Sequence, residues 1–139
     1  MKIQIIPHPL CGKMQAPPSK SMAHRMLICA GLVLDGVSII HGISDSDDVM
    51  ATLGCLAAIG VKYEKYGDTV KITGVNIRDI HPERVLDCCE SGSTLRFLIP
   101  LCLMSGEKIS LTGTKKLFSR PLGVYEAICR EQGLFYEHT

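Results

Sequence analysis

The chain has 139 residues, 46% hydrophobic and 21% charged, which suits one globular domain with a real apolar core and excludes disordered or collagen-like chains. Fifteen basic against fourteen acidic residues leave a net charge of +1, and aromatic residues make up only 5%. That balance gives neither an electrostatic footprint for a duplex or an acidic membrane nor stacking platforms for single strands, so no nucleic-acid and no membrane partner is expected.

Residues 2–6 read as a first strand. Residues 19–34 follow as a helix, with Met22, Met26, Ala30 and Val33 spaced as one apolar stripe. Ser19 is its N-cap, and Gly36 lies just past its end. The longest apolar run, Met26 to Leu34, falls far short of the roughly 20 residues a spanning helix needs. With no signal-peptide pattern either, a cytoplasmic location is expected. Residues 37–41 read as a strand. Residues 46–59 form a second helix with Val49, Leu53 and Leu56 inward and Ser46 as N-cap. Asp47 and Asp48 fall in its first turn, where carboxylates complement the helix dipole. Residues 61–66 and 69–73 flank Gly67-Asp68 as a hairpin. A helix near 93–104 is apolar nearly all round and should be central and buried. Pro100 should kink it or displace its start. A strand near 107–112 and a helix near 121–132, with Pro121 at its first position, complete the chain.

Part of this pattern repeats at an offset of about 72 residues. Ser19-Lys20-Ser21, leading to Arg25 and then Met26-Leu27-Ile28, parallels Ser91-Gly92-Ser93, leading to Arg96 and then Phe97-Leu98-Ile99. Gly36 to Gly42 parallels Gly106 to Gly113, and each copy closes on a helix that ends at a glycine, Gly60 or Gly133. The unit reads β-α-β-α-β-β, once complete and once in part. No linker separates the copies, so a single α+β body of about two units is expected.

Seven cysteines lack C-x-x-C spacing and read as buried core thiols in a reducing compartment. Five histidines lack ligand spacing, and a site built on His81, Cys88 and Cys89 would ask adjacent cysteines to share one zinc, so no metal is expected. Two segments carry chemistry. At Ser19 to Arg25 a helix start offers free backbone N–H groups, a lysine and a hydroxyl, with Ser21 and Arg25 four residues apart on one face. Such ends attract anions, and an arginine grips phosphate bidentately. An ordinary cap with a solvated basic face is the alternative. Ser91 to Arg96 repeats the design, with Gly92 letting a ligand approach the backbone; here the alternative is a Ser-capped helix with a turn glycine. Lys115 to Pro121 reads as a basic loop before a helix. No G-x-S-x-G, H-E-x-x-H or G-x-G-x-x-G occurs, so the expected chemistry acts on anions with no cofactor.

Pro18-Ser19-Lys20-Ser21 with Arg25, Ser44-Asp45-Ser46-Asp47-Asp48, Ser91-Gly92-Ser93-Thr94-Leu95-Arg96 and Ser119-Arg120-Pro121 stand in a familiar order. Across essentially the whole chain they resemble the opening third of the 5-enolpyruvylshikimate-3-phosphate synthase (3-phosphoshikimate 1-carboxyvinyltransferase) family. The resemblance implies an α+β chain of the enolpyruvyl transferase type, in which two lobes are each built from three β-α-β-α-β-β units. It implies that residues 1–139 are an N-terminal part, with 1–17 belonging to the other lobe and 18–139 forming an incomplete substrate-binding lobe. The implied activity moves the enolpyruvyl group of phosphoenolpyruvate to the 5-hydroxyl of shikimate 3-phosphate with release of phosphate. Lys20 would touch both substrates as the catalytic lysine. Ser21 and Arg25 would hold shikimate 3-phosphate. Gly92 would line the phosphoenolpyruvate site, where glyphosate also binds, and Arg120 would pair with phosphoenolpyruvate. Asp48 and Arg96 would support them from behind. Acid/base carboxylates would come from the other lobe, so the 139-residue chain alone should be inactive. One departure stands out: Glu90 occupies a position that is usually Asn, and its carboxylate should repel phosphoenolpyruvate unless it turns away or pairs with Lys or Arg. Two rivals remain. The sibling that transfers enolpyruvate to a UDP-amino sugar (UDP-N-acetylglucosamine) tends to carry Lys-Asn where this chain has Lys20-Ser21. A non-catalytic anion- or RNA-binding module is disfavoured by the neutral charge and few aromatics.

Overall fold

The structure, a computed structural model, describes residues 3–81 and 83–138. Residues 3–18 are exposed and form no helix or strand, so the expected first strand is absent over 3–6; Lys2 lies outside the described residues. Helix α1 (Lys20–Gly31) starts where the cap predicts, with Ser19 Oγ accepting from the Met22 N–H at 3.3 Å. Of the expected stripe only Ala30 is buried. Ala23, His24, Leu27, Ile28, Ala30 and Gly31 face inward, while Met22, Met26 and Val33 are exposed. Two causes turn the helix. Small residues let α1 lie close to its neighbour, a Cβ on Gly31 being only 3.1 Å from Leu56 Cδ2, and the polar His24 finds a partner inside.

Strand β1 (Val37–Ile40) leads to α2 (Asp47–Ala58), which buries Val49, Leu53 and Leu56 as its periodicity predicts. Ser46 is the N-cap residue, but its side chain makes no capping bond. Strands β2 (Lys62–Tyr66) and β3 (Thr69–Thr73) form the hairpin, with Tyr66 opposite Thr69 and Gly67 at a φ of 56° in the turn. β3 sits between β1 and β2 in an antiparallel sheet, its Val70 and Ile72 turned into the core and Lys71 and Thr73 out.

A 3₁₀ turn (Ile77–Asp79) leads to β4 (Arg84–Asp87), α3 (Gly92–Ser105) and β5 (Ile109–Thr112). β4 and β5 pair in parallel, as a β-α-β crossover allows. α3 stays one helix through Pro100 and starts at Gly92, so the proline does not displace its start. Pro100 leaves the Arg96 carbonyl without its helical donor. The Tyr125 hydroxyl donates to it instead at 3.2 Å. α3 buries Leu95, Leu98 and Ile99, but Phe97, Leu101, Cys102 and Leu103 are half-buried and Met104 is exposed. It is therefore less central than its composition predicts. The basic loop is in part a short helix, α4 (Lys115–Phe118), capped by the Thr114 hydroxyl. The last helix, α5 (Gly123–Glu131), takes Leu122 as N-cap, which puts Pro121 before the helix rather than at its first position.

One continuous core joins the two copies, running from Leu27, Leu53 and Leu56 to Leu86, Leu95, Leu98 and Leu117. α2 is the shared element, packing on α1, α3 and β4. Only Cys55, Cys88 and Cys129 of the cysteines are buried; Cys102 is half-buried, and Cys11, Cys29 and Cys89 are exposed. A hydrogen bond with Cys55 and burial push the Cys88 thiol up, and burial pushes Cys102 up to about 12, so neither forms a thiolate near neutral pH.

Candidate active site

The repeat detected in the sequence is a repeat of helix starts. Ser91 caps α3 as Ser19 caps α1, its Oγ accepting from the Thr94 N–H at 3.2 Å. At α1, Arg25 Nη1 donates to the Ser21 carbonyl at 2.7 Å and to the Ser21 hydroxyl, so the i,i+4 pair predicted from spacing forms. The Arg25 guanidinium lies over the Phe97 ring, 4.9 Å from its centroid, which fixes an exposed cation against α3. Lys20 Nζ meets Asp48 Oδ2 at 3.0 Å, carrying the α1 cluster across to the start of α2.

The start of α3 opens onto a cavity of about 360 Å³ lined by Asp48, Glu90, Ser91, Gly92, Ser93, Arg96 and Arg120. The loop that delivers it is constrained: Ser91 N–H donates to Cys88 O, Cys89 N–H donates to Asp87 Oδ1, and Cys89 takes a φ of 51°. That left-handed conformation costs a non-glycine residue roughly 1–2 kcal/mol. Gly92 leaves space that two arginine side chains fill. A Cβ there would lie 2.5 Å from Arg120 Nη1 and 2.8 Å from Arg96 Nη1, so both guanidinium groups close directly over the backbone. The two carboxylates on the cavity are both paired, Asp48 with Lys20 and Glu90 with Lys116 at 3.4 Å. Four cations (Lys20, Arg96, Lys116, Arg120) therefore stand against two carboxylates, and with α3's N-terminal N–H groups the cavity favours an anion.

The model of the family described as EPSP synthase (3-phosphoshikimate 1-carboxyvinyltransferase) matches residues 5–131. The chain belongs to the EPSP synthase family. A 3-phosphoshikimate 1-carboxyvinyltransferase of Clostridium kluyveri is 44% identical over 135 residues, covering 97% of this chain and 31% of its own. Its counterpart in Clostridium beijerinckii is 40% identical over 142 residues, covering 98% and 32%. The chain thus spans about a third of the length of these relatives. A solved EPSP synthase from Acinetobacter baumannii superposes with a TM-score of 0.77 at 28% identity, covering 92% of this chain and 29% of the other. The α+β fold is that of the EPSP synthases.

Within this chain, Gly92, Arg96, Arg120 and Asp48 gather on one cavity, and Lys20 joins them through Asp48. Arg96, expected behind the contact layer, lines the cavity itself. Ser21 and Arg25 do not line it; they form a neighbouring cluster on α1. Glu90 faces the cavity but pairs with Lys116, one of the two arrangements that relieve its repulsion. His81 and Cys89 are exposed and Cys88 is buried, and among the described residues no three His, Cys, Asp or Glu groups come together as metal ligands. Sequence reasoning missed Phe97 beneath Arg25, and it missed the buried polar side chains of His24, Thr52 and Thr94. Their signal was present: each is a polar residue standing in register with the apolar face of its helix. No helix among the described residues is long and apolar enough to cross a membrane.

Proposed function

We propose that this chain supplies half of an active site that transfers the enolpyruvyl group of phosphoenolpyruvate to the 5-hydroxyl of shikimate 3-phosphate, releasing phosphate. The observation that carries the reading is the closure of Arg96 and Arg120 over Gly92 at the capped start of α3, with Lys20 held alongside by Asp48. In this reading Gly92 and Arg120 hold phosphoenolpyruvate, with Arg96 and Asp48 ordering the site. Ser21 and Arg25 hold the 3-phosphate of the other substrate. Lys20 leaves Asp48 to bridge the two. Pre-arranged positive charge then brings two phosphates and a carboxylate together, which unaided solution resists. Glyphosate, itself an anion, would compete at the Gly92 cavity.

Residues 18–139 form an incomplete substrate-binding lobe, and residues 1–17 belong with another. The exposure of Ile3, Ile5, Ile6 and Leu10 supports that division, since apolar side chains in sequence normally find cover. A proton for the methylene carbon and a base for the 5-hydroxyl come from groups outside these residues. The cavity is open, so water also screens the charges until a second lobe covers it. The experiment is phosphate release from phosphoenolpyruvate and shikimate 3-phosphate. The 139-residue chain alone should give none. Mixed with the remaining length of the C. kluyveri relative it should turn over, and Lys20→Met should abolish that turnover. Turnover by the chain alone, lost in Lys20→Met, would overturn the half-site reading.

A further inference from the structure

Four polar side chains of the core form one continuous line. His24, Thr52, Thr94 and Ser91 are each 2% exposed or less. His24 Nδ1 lies 2.7 Å from Thr52 Oγ1, Thr52 Oγ1 lies 2.7 Å from Thr94 Oγ1, and Thr94 Oγ1 lies 2.6 Å from Ser91 Oγ. The line starts on α1 one turn beyond Lys20, crosses α2, and ends at the cap of α3 on the cavity. The Asp48 carbonyl, 3.4 Å from Thr52 Oγ1 and 3.3 Å from Thr94 Oγ1, is a longer and weaker competitor for the same protons.

Counting protons leaves two arrangements in which neither threonine turns its proton to the Asp48 carbonyl. Each short contact takes one proton, and a neutral imidazole has one N–H. With that proton on Nδ1, donation runs from His24 to Thr52, to Thr94 and to Ser91. Ser91 Oγ then accepts twice, from the Thr94 hydroxyl and from the Thr94 N–H, and its own proton is left for a ligand. With the proton on Nε2 the order reverses. Ser91 then donates to Thr94 and offers a ligand only a lone pair. An anion selects the first arrangement, because an O–H attracts it and a lone pair repels it. Burial pushes the His24 pKa down, against the opposing pull of Asp48, which keeps the ring neutral and leaves its tautomer free to respond.

We propose that Ser91 donates its hydroxyl proton to the anion held between Gly92 and Arg120, and that His24, acting through Thr52 and Thr94, is the positioning residue that orders this donor. The inference rests on the reading of the cavity as an anion site.

The test is ¹⁵N NMR of histidine-labelled protein saturated with phosphoenolpyruvate, together with calorimetric affinities for that ligand. His24 should show a protonated Nδ1 and a bare Nε2. Thr94→Val keeps the N–H that Ser91 caps but cuts the line, and it should weaken binding roughly tenfold, the worth of one hydrogen bond to a charged group. Thr94→Ser, which restores the hydroxyl, should recover the affinity. Should Thr94→Val fail to fold, Thr52→Val cuts the line one link earlier and is read in the same way. A protonated Nε2 in the loaded protein, or full affinity in the valine variant, overturns the proposal. If Arg120→Ala weakens binding while Thr94→Val does not, only this inference fails. If Arg120→Ala has no effect, or the ligand does not bind, the reading of the cavity fails with it.

Discussion

The starts of α1 and α3 use one local device and make two different surfaces of it. Both are capped by a serine whose Oγ accepts from the N–H three residues on, at 3.3 Å for Ser19 and 3.2 Å for Ser91. Ser19 is exposed and is followed by Lys20, Ser21 and Arg25, which present their charge outward. Ser91 is buried and is followed by Gly92, above which close the guanidinium groups of Arg96, one turn on in α3, and Arg120, from the loop after α4. A helix start followed by long side chains grips a ligand with those side chains. One followed by glycine lets an arginine of the next turn and one from a later loop bring their charges to the backbone. The repeated motif therefore sets a position, and the residue after the cap decides how that position is used.

The largest break in this comparison is Gly92→Ala. Its Cβ meets the flexible ends of Arg96 and Arg120, so the cost falls on ligand binding rather than on folding. Phosphoenolpyruvate affinity should drop roughly 10- to 100-fold, the worth of one displaced charge-assisted contact, with the thermal midpoint little changed. Equal affinity by calorimetry would show that the arginines do not need that space.

A smaller effect tests the buried connection between the two regions. Burial lowers the His24 pKa, with Lys20 and Arg25 acting the same way and Asp48 opposing. As pH falls through about 6.5 the unfolded chain takes up this proton first. The unfolded state then binds more protons, so stability should decline below that pH. Urea midpoints measured against pH should show this slope, and His24→Gln should flatten it. An unchanged slope in the variant would assign the titration elsewhere.

The smallest effect sharpens the α3 side. Lys116→Ala leaves the Glu90 carboxylate unpaired at the cavity. Because the pair is exposed, phosphoenolpyruvate binding should weaken by under about 1 kcal/mol. Adding Glu90→Asn should restore it, as competition titrations can resolve.

Much of this was legible in the sequence. The capped starts, the hairpin at Gly67-Asp68 and the inward face of α2 follow from local rules that tertiary packing did not override. The inward face of α1 departs from the expected stripe at Met22 and Met26, whose hydrophobicity outweighs that of Ala23. Close packing against Leu56 and a partner for His24 reward the smaller face. Pro100 lies within α3 and does not displace its start. The proline frees the Arg96 carbonyl, and Tyr125 arrives from a later helix to satisfy it. The gathering of Gly92, Arg96, Arg120, Asp48 and Lys20 was implied by resemblance alone; no spacing rule brings residues from α1, α2, α3 and the loop after α4 together. The Glu90–Lys116 pair was legible only as a condition, since its partner lies on α4, which read as loop.

The central claim is that both helix starts bind anions, α1 through the side chains of Ser21 and Arg25. Calorimetric titration of the chain with shikimate 3-phosphate and with shikimate, repeated on Arg25→Ala, tests it most directly. The account predicts tighter binding of the phosphorylated ligand, and loss of most of that difference in the variant, about 1.5–3 kcal/mol for a contact to a charged group. Equal binding of the two ligands by the unmodified chain would contradict it.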